Sequence, residues 1–379
     1  MAEGLMASVF FYVQHLLGIG HLARASRVAA ALVEDGFRVT MVTGGLPVKG
    51  FPGPGLDHVA LPAVGSASEA FSGLVEADGK PVDEAFLARR RDLLLAALHE
   101  RRPDIVVIEA FPFGRRQMRF ELLPLLDAVA AMAPRPRLVT SVRDLLQERV
   151  KPGRNEETVE LLNRHFDLVM VHGDPAFARL EETFPLAAEI RPPVGYSGLV
   201  AAPPPQPPRE VFNVLVSAGG GAAGAELVRA TVEAARLLPD ASGWALITGP
   251  NLPQAEFDAA AAAAPSGLQL FRFREDFPVL LGGAELSVSQ AGYNTVCDVL
   301  RAGCRSLLVP FAAGGETEQP ARAARLSRLG LAEALPETGL TGPVLAEAIR
   351  AALARPKPPR ATLDLDGAMG SARLLRALL

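Results

Sequence analysis

Gly18, Gly20 and His21 form a short glycine turn closed by a histidine, within the stretch HLLGIGH at residues 15–21. An apolar run precedes the turn and an amphipathic segment follows it, as in a strand, a turn and a helix. A helix N-terminus disfavours positive charge, so a histidine there stays neutral and can accept a proton. His21 is therefore a candidate general base, although a capping or packing histidine would give the same pattern.

The same turn partly fits the glycine pattern of dinucleotide-binding proteins. That pattern needs an acidic residue at the end of the second strand, where it binds a ribose. The second predicted strand here ends in Thr43 and Gly44, and the acidic pair Glu34 and Asp35 precedes it. The third glycine is also missing. The sequence therefore disfavours NAD and FAD, and we expect no cofactor.

A second glycine-rich loop lies in the other half of the chain and contains Gly220, Gly221 and Ala222. Without bulky side chains, the backbone N–H groups at a helix N-terminus can approach an anion. The loop lacks the Lys-Ser/Thr pair of ATP-hydrolysing loops. It predicts a phosphate site, and a tight turn required only by chain geometry is the alternative.

Two later loops of this half bring hydrogen-bonding side chains to the carboxyl ends of predicted strands. Parallel sheets bind their ligands at that edge, and such side chains suit a nucleotide and a sugar. Arg274 completes the set, because we expect the backbone near it to contact the nucleobase. The other candidate donor-binding residues are Gln290, Ala291, Gly292, Asn294, Thr295, Asp298, Glu318 and Gln319.

Three loops of the first half, EAFPFGRR, SVRD and VHGDP, place charged residues after predicted strands. A single charged loop is usually just exposed to solvent, but three such loops on one edge of the sheet predict a polar acceptor site. Glu109 and Asp144 are reserve candidates for the base. The candidate acceptor-binding residues are Gly18, Gly20, Arg115, Arg143, His172 and Asp174.

Alternating strands and helices must position these groups, among them predicted strands at 38–43 and 105–109 and a predicted helix at 21–34. This alternation predicts a parallel, doubly wound sheet in each half. The fold class is thus α/β, with two Rossmann-like domains facing across a cleft. We predict an acceptor domain at 1–200, a stiff proline-rich linker at 201–210 and a donor domain at 211–355. Residues 356–379 form a tail whose helix would pack back toward the first domain.

Bulk composition narrows the function classes. The 379 residues carry a net charge of −4, which gives no general attraction for nucleic acid. No apolar stretch reaches the roughly 18 residues that span a bilayer. The N-terminus fits a secretory signal poorly, so we expect a cytoplasmic protein, at most peripheral at the inner face of the membrane. Arginines around LLLAAL at 93–98 suit weak contact with anionic lipid, or simply a solvated helix end.

The stretch of residues 284–330 resembles the nucleotide-sugar site of GT-B glycosyltransferases in glycosyltransferase family 28. That family has a serine–x–x–Gly turn and, six residues after the glycine, an acidic residue that binds ribose. Asp298 stands there after Gly292, where the family usually has glutamate, and Glu318-Gln319 match its donor-sugar pair. HLLGIGH, EAFPFGRRQ, SVRD and VHGDP look closer to an uncharacterised bacterial group of predicted glycosyltransferases within the superfamily.

The resemblance implies a glycosyltransferase that moves a sugar from a nucleotide diphosphate sugar, expected to be a UDP-sugar, to an acceptor hydroxyl. The expected reaction inverts the anomeric carbon and needs no metal, because backbone amides would stabilise the leaving diphosphate. The acceptor would be a small molecule, a glycan or a lipid-linked sugar. A nucleotide-sugar hydrolase or 2-epimerase, and a non-catalytic nucleotide-sugar-binding protein, are the alternatives.

Overall fold

The computed structural model describes residues 6–16, 18–66, 73–148, 151–219, 224–238 and 243–379. The chain divides into two compact units. Unit 1 comprises Met1–Val200 together with Asp366–Leu379, and unit 2 comprises Ala201–Leu365. Gly220, Gly221 and Ala222 of the predicted phosphate loop lie outside the described residues.

Unit 1 is built on a seven-stranded parallel sheet in the order β3-β2-β1-β6-β7-β8-β9, beside a separate antiparallel hairpin, β4-β5. Its strands are β1 (Ser8–Val13), β2 (Arg38–Thr43), β3 (Asp57–Ala60), β4 (Val64–Ser66), β5 (Leu74–Glu76), β6 (Ile105–Glu109), β7 (Arg137–Arg143), β8 (Leu168–His172) and β9 (Val194–Tyr196). Its helices before unit 2 are α1 (Gly20–Glu34), α2 (Glu84–Arg101), α3 (Arg119–Ala131) and α4 (Arg154–His165).

Unit 2 repeats the same plan with a six-stranded parallel sheet in the order β12-β11-β10-β13-β14-β15. Its strands are β10 (Phe212–Ser217), β11 (Trp244–Ile247), β12 (Leu268–Phe271), β13 (Ala284–Ser289), β14 (Arg305–Leu308) and β15 (Glu333–Ala334). Its helices are α5 (Ala225–Leu237), α6 (Gln254–Ala263), α7 (Phe277–Gly282), α8 (Tyr293–Ala302), α9 (Glu318–Arg328) and α10 (Gly342–Ala354). The last helix of the chain, α11 (Gly367–Arg376), packs against α1 in unit 1.

Both sheets place their first strand in the middle, so the chain winds outward in one direction and then in the other. The point where the direction reverses lies between β1 and β6 in unit 1, and between β10 and β13 in unit 2. At such a point the loops leaving the two strands diverge and open a crevice at the carboxyl edge. Each unit therefore has one place where its fold favours ligand binding.

Local sequence accounts for the central strands. SVFFYV in β1 is buried at all six positions, as expected of an apolar run in a parallel sheet covered on both faces. In α1, apolar residues repeat at helical spacing and bury Leu22, Ala25, Val28 and Leu32. The stretch LLLAAL behaves in the same way: Leu94 is buried and Leu93 is exposed. Arg90, just before it, is fully buried and paired with Glu121, so it faces the core and not a lipid surface.

Candidate active site

The reversal point of unit 1 brings a histidine to a buried carboxylate. His21 is the second residue of α1, and its Nδ1 atom lies 3.0 Å from Oε1 of Glu109, the last residue of β6. An ionised carboxylate has no proton to donate, so the hydrogen of this bond sits on Nδ1. The Nε2 atom then carries the lone pair. The His21 side chain is 21% exposed, and no partner for Nε2 lies among the described residues.

Arg24, one turn after His21, makes the ionised state of Glu109 possible. Its guanidinium contacts Oε1 of Glu109, and both side chains are almost completely buried. Burial opposes ionisation, yet Arg24 and His21 together hold the pKa of Glu109 well below its usual range. Since Glu109 has no exposed surface, it acts on His21 and cannot itself reach an acceptor. This corrects its predicted use as a reserve base.

His21 is neutral at physiological pH for several reasons. Burial and the nearby guanidinium of Arg115 hold its pKa well below the usual 6.5, and Glu109 only partly opposes them. The α1 N-terminus adds to this effect, because its first turn contains no acidic residue and Ile19 provides no side-chain cap. A neutral imidazole with Nδ1 occupied and Nε2 available is the form that a general base requires.

Behind Glu109 the hydrogen bonds continue into the core. The hydroxyl of Ser141, in β7, donates to Oε2 of Glu109 at 2.6 Å and lies 2.7 Å from Nε2 of His172. Burial and Arg24 lower the pKa of His172 to about 3, although Glu109 opposes them. His172 has no exposed surface, so it cannot contact an acceptor. Its predicted acceptor-binding role is therefore corrected to one inside the protein.

The other acidic candidates of unit 1 shape their own loops. Asp144 is 1% exposed and accepts a hydrogen bond from the Leu145 amide at 2.8 Å. Asp174 accepts one from the Ala176 amide at 2.7 Å. Such bonds fix turns. The burial of Asp144 makes it unsuitable as the reserve base that the sequence predicted.

Two cations lie close together beyond β6 and β7. Burial and the neighbouring guanidinium of Arg143 lower the pKa of Arg115 to about 10, although Glu109 opposes them. Arg115 and Ala110 have φ angles of 57° and 65°, which residues with side chains adopt rarely. Such strained backbone tends to persist at functional sites. The loop that follows Glu109 is thus held in a strained conformation beside the histidine.

Gly18 stands in open space. Among the residues that the structure describes, a Cβ atom built there meets nothing within 4 Å, and its φ angle is not one that requires glycine. Neither packing nor backbone geometry therefore requires glycine at this position. Gly20 is exposed at the first position of α1. This turn offers room for a group approaching the backbone beside His21.

The reversal point of unit 2 carries neutral groups. β10 and β13 end side by side at Ser217 and Ser289. Gly219 follows with a φ of 81°, and a Cβ there would lie 2.7 Å from Oε1 of Gln290. The Gln290 side chain could move aside, so it is the positive φ of Gly219 that favours glycine there. The side chain of Gln290 is 7% exposed at this edge.

The start of α8 resembles an anion site. Gly292 precedes the helix and provides no side-chain hydrogen bond, and the first turn, which includes Asn294 and Thr295, contains no acidic residue. Among the described residues, a Cβ at Gly292 would meet nothing within 4 Å, and its φ of −64° suits any residue. As at Gly18, those residues give no reason for glycine there. A helix that begins without an acidic side chain in its first turn favours a negatively charged ligand.

Asp298, predicted to bind ribose, lies further along α8 and is 4% exposed. Its Oδ1 accepts a hydrogen bond from the backbone N–H of Ala202 at 2.9 Å. A buried amide without a partner costs about 1–3 kcal/mol, so this bond stabilises the beginning of unit 2. Asp298 thus has a structural function, beside which the ribose contact stays a prediction.

The α9 N-terminus differs from that of α8, because an acidic side chain already occupies its amides. Glu316 accepts the backbone N–H groups of Glu318 at 2.7 Å and Gln319 at 3.2 Å. Gln319 in turn accepts the Phe311 amide at 3.2 Å, and Glu318 is only 3% exposed. The predicted sugar-binding pair is therefore held by the loop that precedes it.

Arg322 contacts both the loop after β13 and the start of α9. Its guanidinium, 1% exposed, donates to the carbonyl of Ala291 at 3.0 Å and lies 3.8 Å from the Glu318 carboxylate. Arg274, at the other side of the sheet, is paired with Glu210 and Asp276, and these carboxylates raise its pKa. Its side chain is thus occupied, which leaves the predicted base contact to the backbone.

A cavity of about 330 Å³ lies elsewhere in unit 2, at the amino ends of β14 and β15. Its cations Arg305 and Arg355 are paired with Glu285 and Glu333. Parallel sheets bind ligands at the opposite edge, so we do not assign the donor to this cavity. In the described part of the chain, no three His, Cys, Asp or Glu side chains form a potential metal site. Among the described helices, none is long and apolar enough to cross a bilayer.

The sequence predicts His21 and Glu109 as separate candidates. It does not predict three residues that contact the candidate site residues: Arg24, Ser141 and Arg322. Two of them had a signal. Arg24 follows His21 by three residues and Arg322 follows Glu318 by four, spacings that place side chains on one helix face. Ser141 had none, because a serine within a buried strand is not distinctive.

Known proteins resemble this chain in sequence and in fold. Residues 214–364 match the glycosyltransferase family 28 C-terminal domain. The UDP-N-acetylglucosamine--N-acetylmuramyl-(pentapeptide) pyrophosphoryl-undecaprenol N-acetylglucosamine transferase of Phenylobacterium zucineum (strain HLK1) is 28% identical over 356 residues, covering 89% of this chain and 87% of that protein. The crystal structure of CalG4, the calicheamicin glycosyltransferase, has a TM-score of 0.65 at 20% identity, covering 99% of this chain and 98% of that one. Acinetobacter baumannii MurG has a TM-score of 0.55 at 17% identity, covering 97% and 95%.

The parallel sheets of the two units and these structural neighbours show the GT-B fold. The match of residues 214–364 and the Phenylobacterium zucineum relative indicate a glycosyltransferase that resembles family 28 and uses a nucleotide-sugar donor. The expected fold class, family resemblance and enzyme class are confirmed.

Proposed function

We propose that the protein transfers a sugar from a UDP-sugar to an acceptor hydroxyl with inversion and without a metal ion. The pair formed by His21 and Glu109 carries this proposal. Nε2 of His21 takes the proton of the acceptor hydroxyl while that oxygen attacks the anomeric carbon and the bond to the diphosphate breaks. Glu109 orients the imidazole and stabilises the imidazolium that forms.

The leaving diphosphate carries the negative charge that develops in this step. Backbone N–H groups at the α8 N-terminus, together with the predicted phosphate loop, would stabilise it without a cation. The open space at Gly292 and the absence of an acidic residue in the first turn of α8 support this role. The name of the Phenylobacterium zucineum relative, a transferase that uses UDP-N-acetylglucosamine, supports uridine as the first nucleotide to test.

The same name makes a polyprenyl diphosphate-linked sugar the first acceptor to test. Arg115, near His21, and Arg143, near Arg115, support an acceptor that carries negative charge. An acceptor of this kind lies in a membrane, so we expect the enzyme to work in the cytoplasm at the inner membrane face.

A transfer assay tests the proposal. A thermal-shift screen of UDP- and dTDP-sugars first finds the donor, because a ligand that binds only the native state raises its melting temperature. The preferred sugar, radiolabelled, is then offered with and without a short-chain polyprenyl diphosphate-linked sugar. We expect labelled acceptor with inverted anomeric configuration and no free sugar when the acceptor is omitted. Free sugar released at the full rate without acceptor would support a hydrolase or 2-epimerase instead.

A further inference from the structure

A chain of polar side chains runs from His21 into the core of unit 1. It passes through Glu109, Ser141 and His172 and ends at Ser197. Glu109, Ser141 and His172 have no exposed surface, and Ser197 is 2% exposed. Polar groups at such depth are costly unless hydrogen-bonded, and apolar residues usually fill these positions. Only the His21 end of the chain is exposed.

The protons along this chain can be assigned in order. The ionised Glu109 only accepts, so the single Ser141 proton goes to its Oε2. The Ser141 oxygen must then accept from Nε2–H of His172, 2.7 Å away. Nδ1 of His172 is left as an acceptor, and the Ser197 hydroxyl lies 2.9 Å from it. The Ser197 proton has the Gly198 carbonyl, 3.1 Å away, as a second acceptor. From His172 to Glu109, however, each proton points toward Glu109, which also accepts Nδ1–H of His21.

The C-terminal helix α11 packs over the buried end of this hydrogen-bond network, at His172 and Ser197. In α11, the hydroxyl of Ser371 lies 3.4 Å from Nδ1 of His172. The helix approaches this closely because of its glycines: a Cβ at Gly370 would lie 1.8 Å from the Ser197 carbonyl oxygen, and one at Gly367 2.2 Å from that of Gly198. Glycines at both positions thus let the last helix of the chain cover His172.

We propose that these hydrogen-bonded side chains fix the orientation and tautomer of His21, and that His172 is the central positioning residue among them. The inference rests on the proposed function, in which His21 is the general base. By holding Ser141, His172 keeps Oε2 of Glu109 occupied and Oε1 aimed at Nδ1 of His21. His21 then presents Nε2 to the acceptor in a single tautomer.

Two variants of His172 form a matched pair. His172→Leu removes the donor to Ser141, whereas His172→Gln keeps an N–H donor at about the same reach. Ser141→Ala breaks the next link. We expect His172→Leu and Ser141→Ala to lower kcat about 10- to 100-fold with donor KM nearly unchanged, and His172→Gln to restore most of kcat.

The pH profile separates positioning from a merely structural role. The charged groups facing His21 are Glu109, Arg24 and Arg115, and those facing His172 are Arg24 and Glu109. Ser141→Ala removes the proton donated to Oε2, so Glu109 becomes a stronger partner for the imidazolium and the pKa of His21 rises. The acid limb of kcat/KM then moves to higher pH. In His172→Leu, where Ser141 keeps its proton but loses the donor that orients it, we expect a smaller shift in the same direction, and in His172→Gln none.

An activity-independent measurement on the wild-type protein completes the test. Histidine ¹⁵N shifts should show the proton of His21 on Nδ1 and that of His172 on Nε2. The opposite tautomer at either residue would overturn the proposal, as would wild-type kcat and acid limb in a folded His172→Leu or Ser141→Ala variant. If His21→Gln is fully active while both tautomers are as assigned, the proposed function fails but the hydrogen-bond chain stands.

Discussion

The carboxyl edges of the two sheets share one topology and differ in chemistry. At the reversal point of unit 1, ionisable side chains meet: His21, Glu109 and Arg24 form a buried network. At the equivalent point of unit 2, the strands end in Ser217 and Ser289, and α8 begins without an acidic side chain in its first turn. Under the proposed function, the same topology provides a proton acceptor in unit 1, where the side chains are ionisable, and an anion site in unit 2, where backbone N–H groups are the donors.

The largest expected effect is at His21. His21→Ala should lower turnover about 10²- to 10⁴-fold, the usual contribution of a general base, with UDP affinity by calorimetry nearly unchanged. His21→Gln should be equally slow, because glutamine can hydrogen-bond but cannot take the proton. His99→Ala, on the exposed face of α2, is the matched control and should behave as wild type. Near-normal turnover of His21→Gln would demote His21 to positioning the acceptor.

Two substitutions of Asp298 should separate its effect on donor binding from its effect on the free energy of unfolding. Asp298→Ala should weaken UDP-sugar binding by about 1–3 kcal/mol and also destabilise the fold, because the Ala202 amide loses its acceptor. Asp298→Asn keeps an oxygen for that amide, so we expect the free energy of unfolding to recover while UDP affinity stays low. If UDP binds Asp298→Asn as it binds the wild type, the ribose contact is wrong and the residue is structural.

Substitutions of Gly292 and Gly18 should have smaller effects, the first on donor binding and the second on acceptor binding. Gly292→Ala should raise the donor Kd about tenfold, the loss of roughly one backbone–phosphate hydrogen bond, with the free energy of unfolding changed by at most about 0.5 kcal/mol. Gly18→Ala should raise the acceptor KM and leave donor binding unchanged. Gly224→Ala is the control for packing, since a Cβ there would lie 2.7 Å from Ala218 and should destabilise the fold. Unchanged ligand affinities in both Gly292→Ala and Gly18→Ala would contradict the assignment of the donor to unit 2 and of the acceptor to unit 1.

The smallest expected effect is that of metal removal. If backbone amides and a helix N-terminus stabilise the leaving diphosphate, transfer should continue at its normal rate in excess EDTA. Complete loss of activity that Mn²⁺ or Mg²⁺ restores would show that a cation does this work.

The strands were predictable where the pattern was strong. Residues 38–43 and 105–109 were predicted as strands and coincide with β2 and β6, because buried parallel strands are unbroken apolar runs. β3 was missed, since it lies at the sheet edge and is mostly exposed, so its sequence, DHVA, shows no such run. Predicted helix 21–34 begins one residue late, within the usual uncertainty of helix ends.

The candidate site was predictable in its parts and not in its connections. His21 was found from the glycine turn, and Glu109 from its place after a strand, but their contact depends on β6 lying next to β1. The sequence does not give that strand order. Nor does it give the burial of Asp144 and His172, which depends on what packs over the strand ends.

The pH dependence of kcat/KM is the most direct test that His21, held by Glu109, is the base. A base must be neutral, so activity should fall only where His21 takes up a proton. Since burial and Arg115 hold its pKa well below 6.5, we expect kcat/KM to stay level from neutral pH to below pH 6.5 and then decline. The residual activity of His21→Gln should lack that acid limb. A limb at or above pH 6.5, or the same limb in His21→Gln, would contradict the assignment.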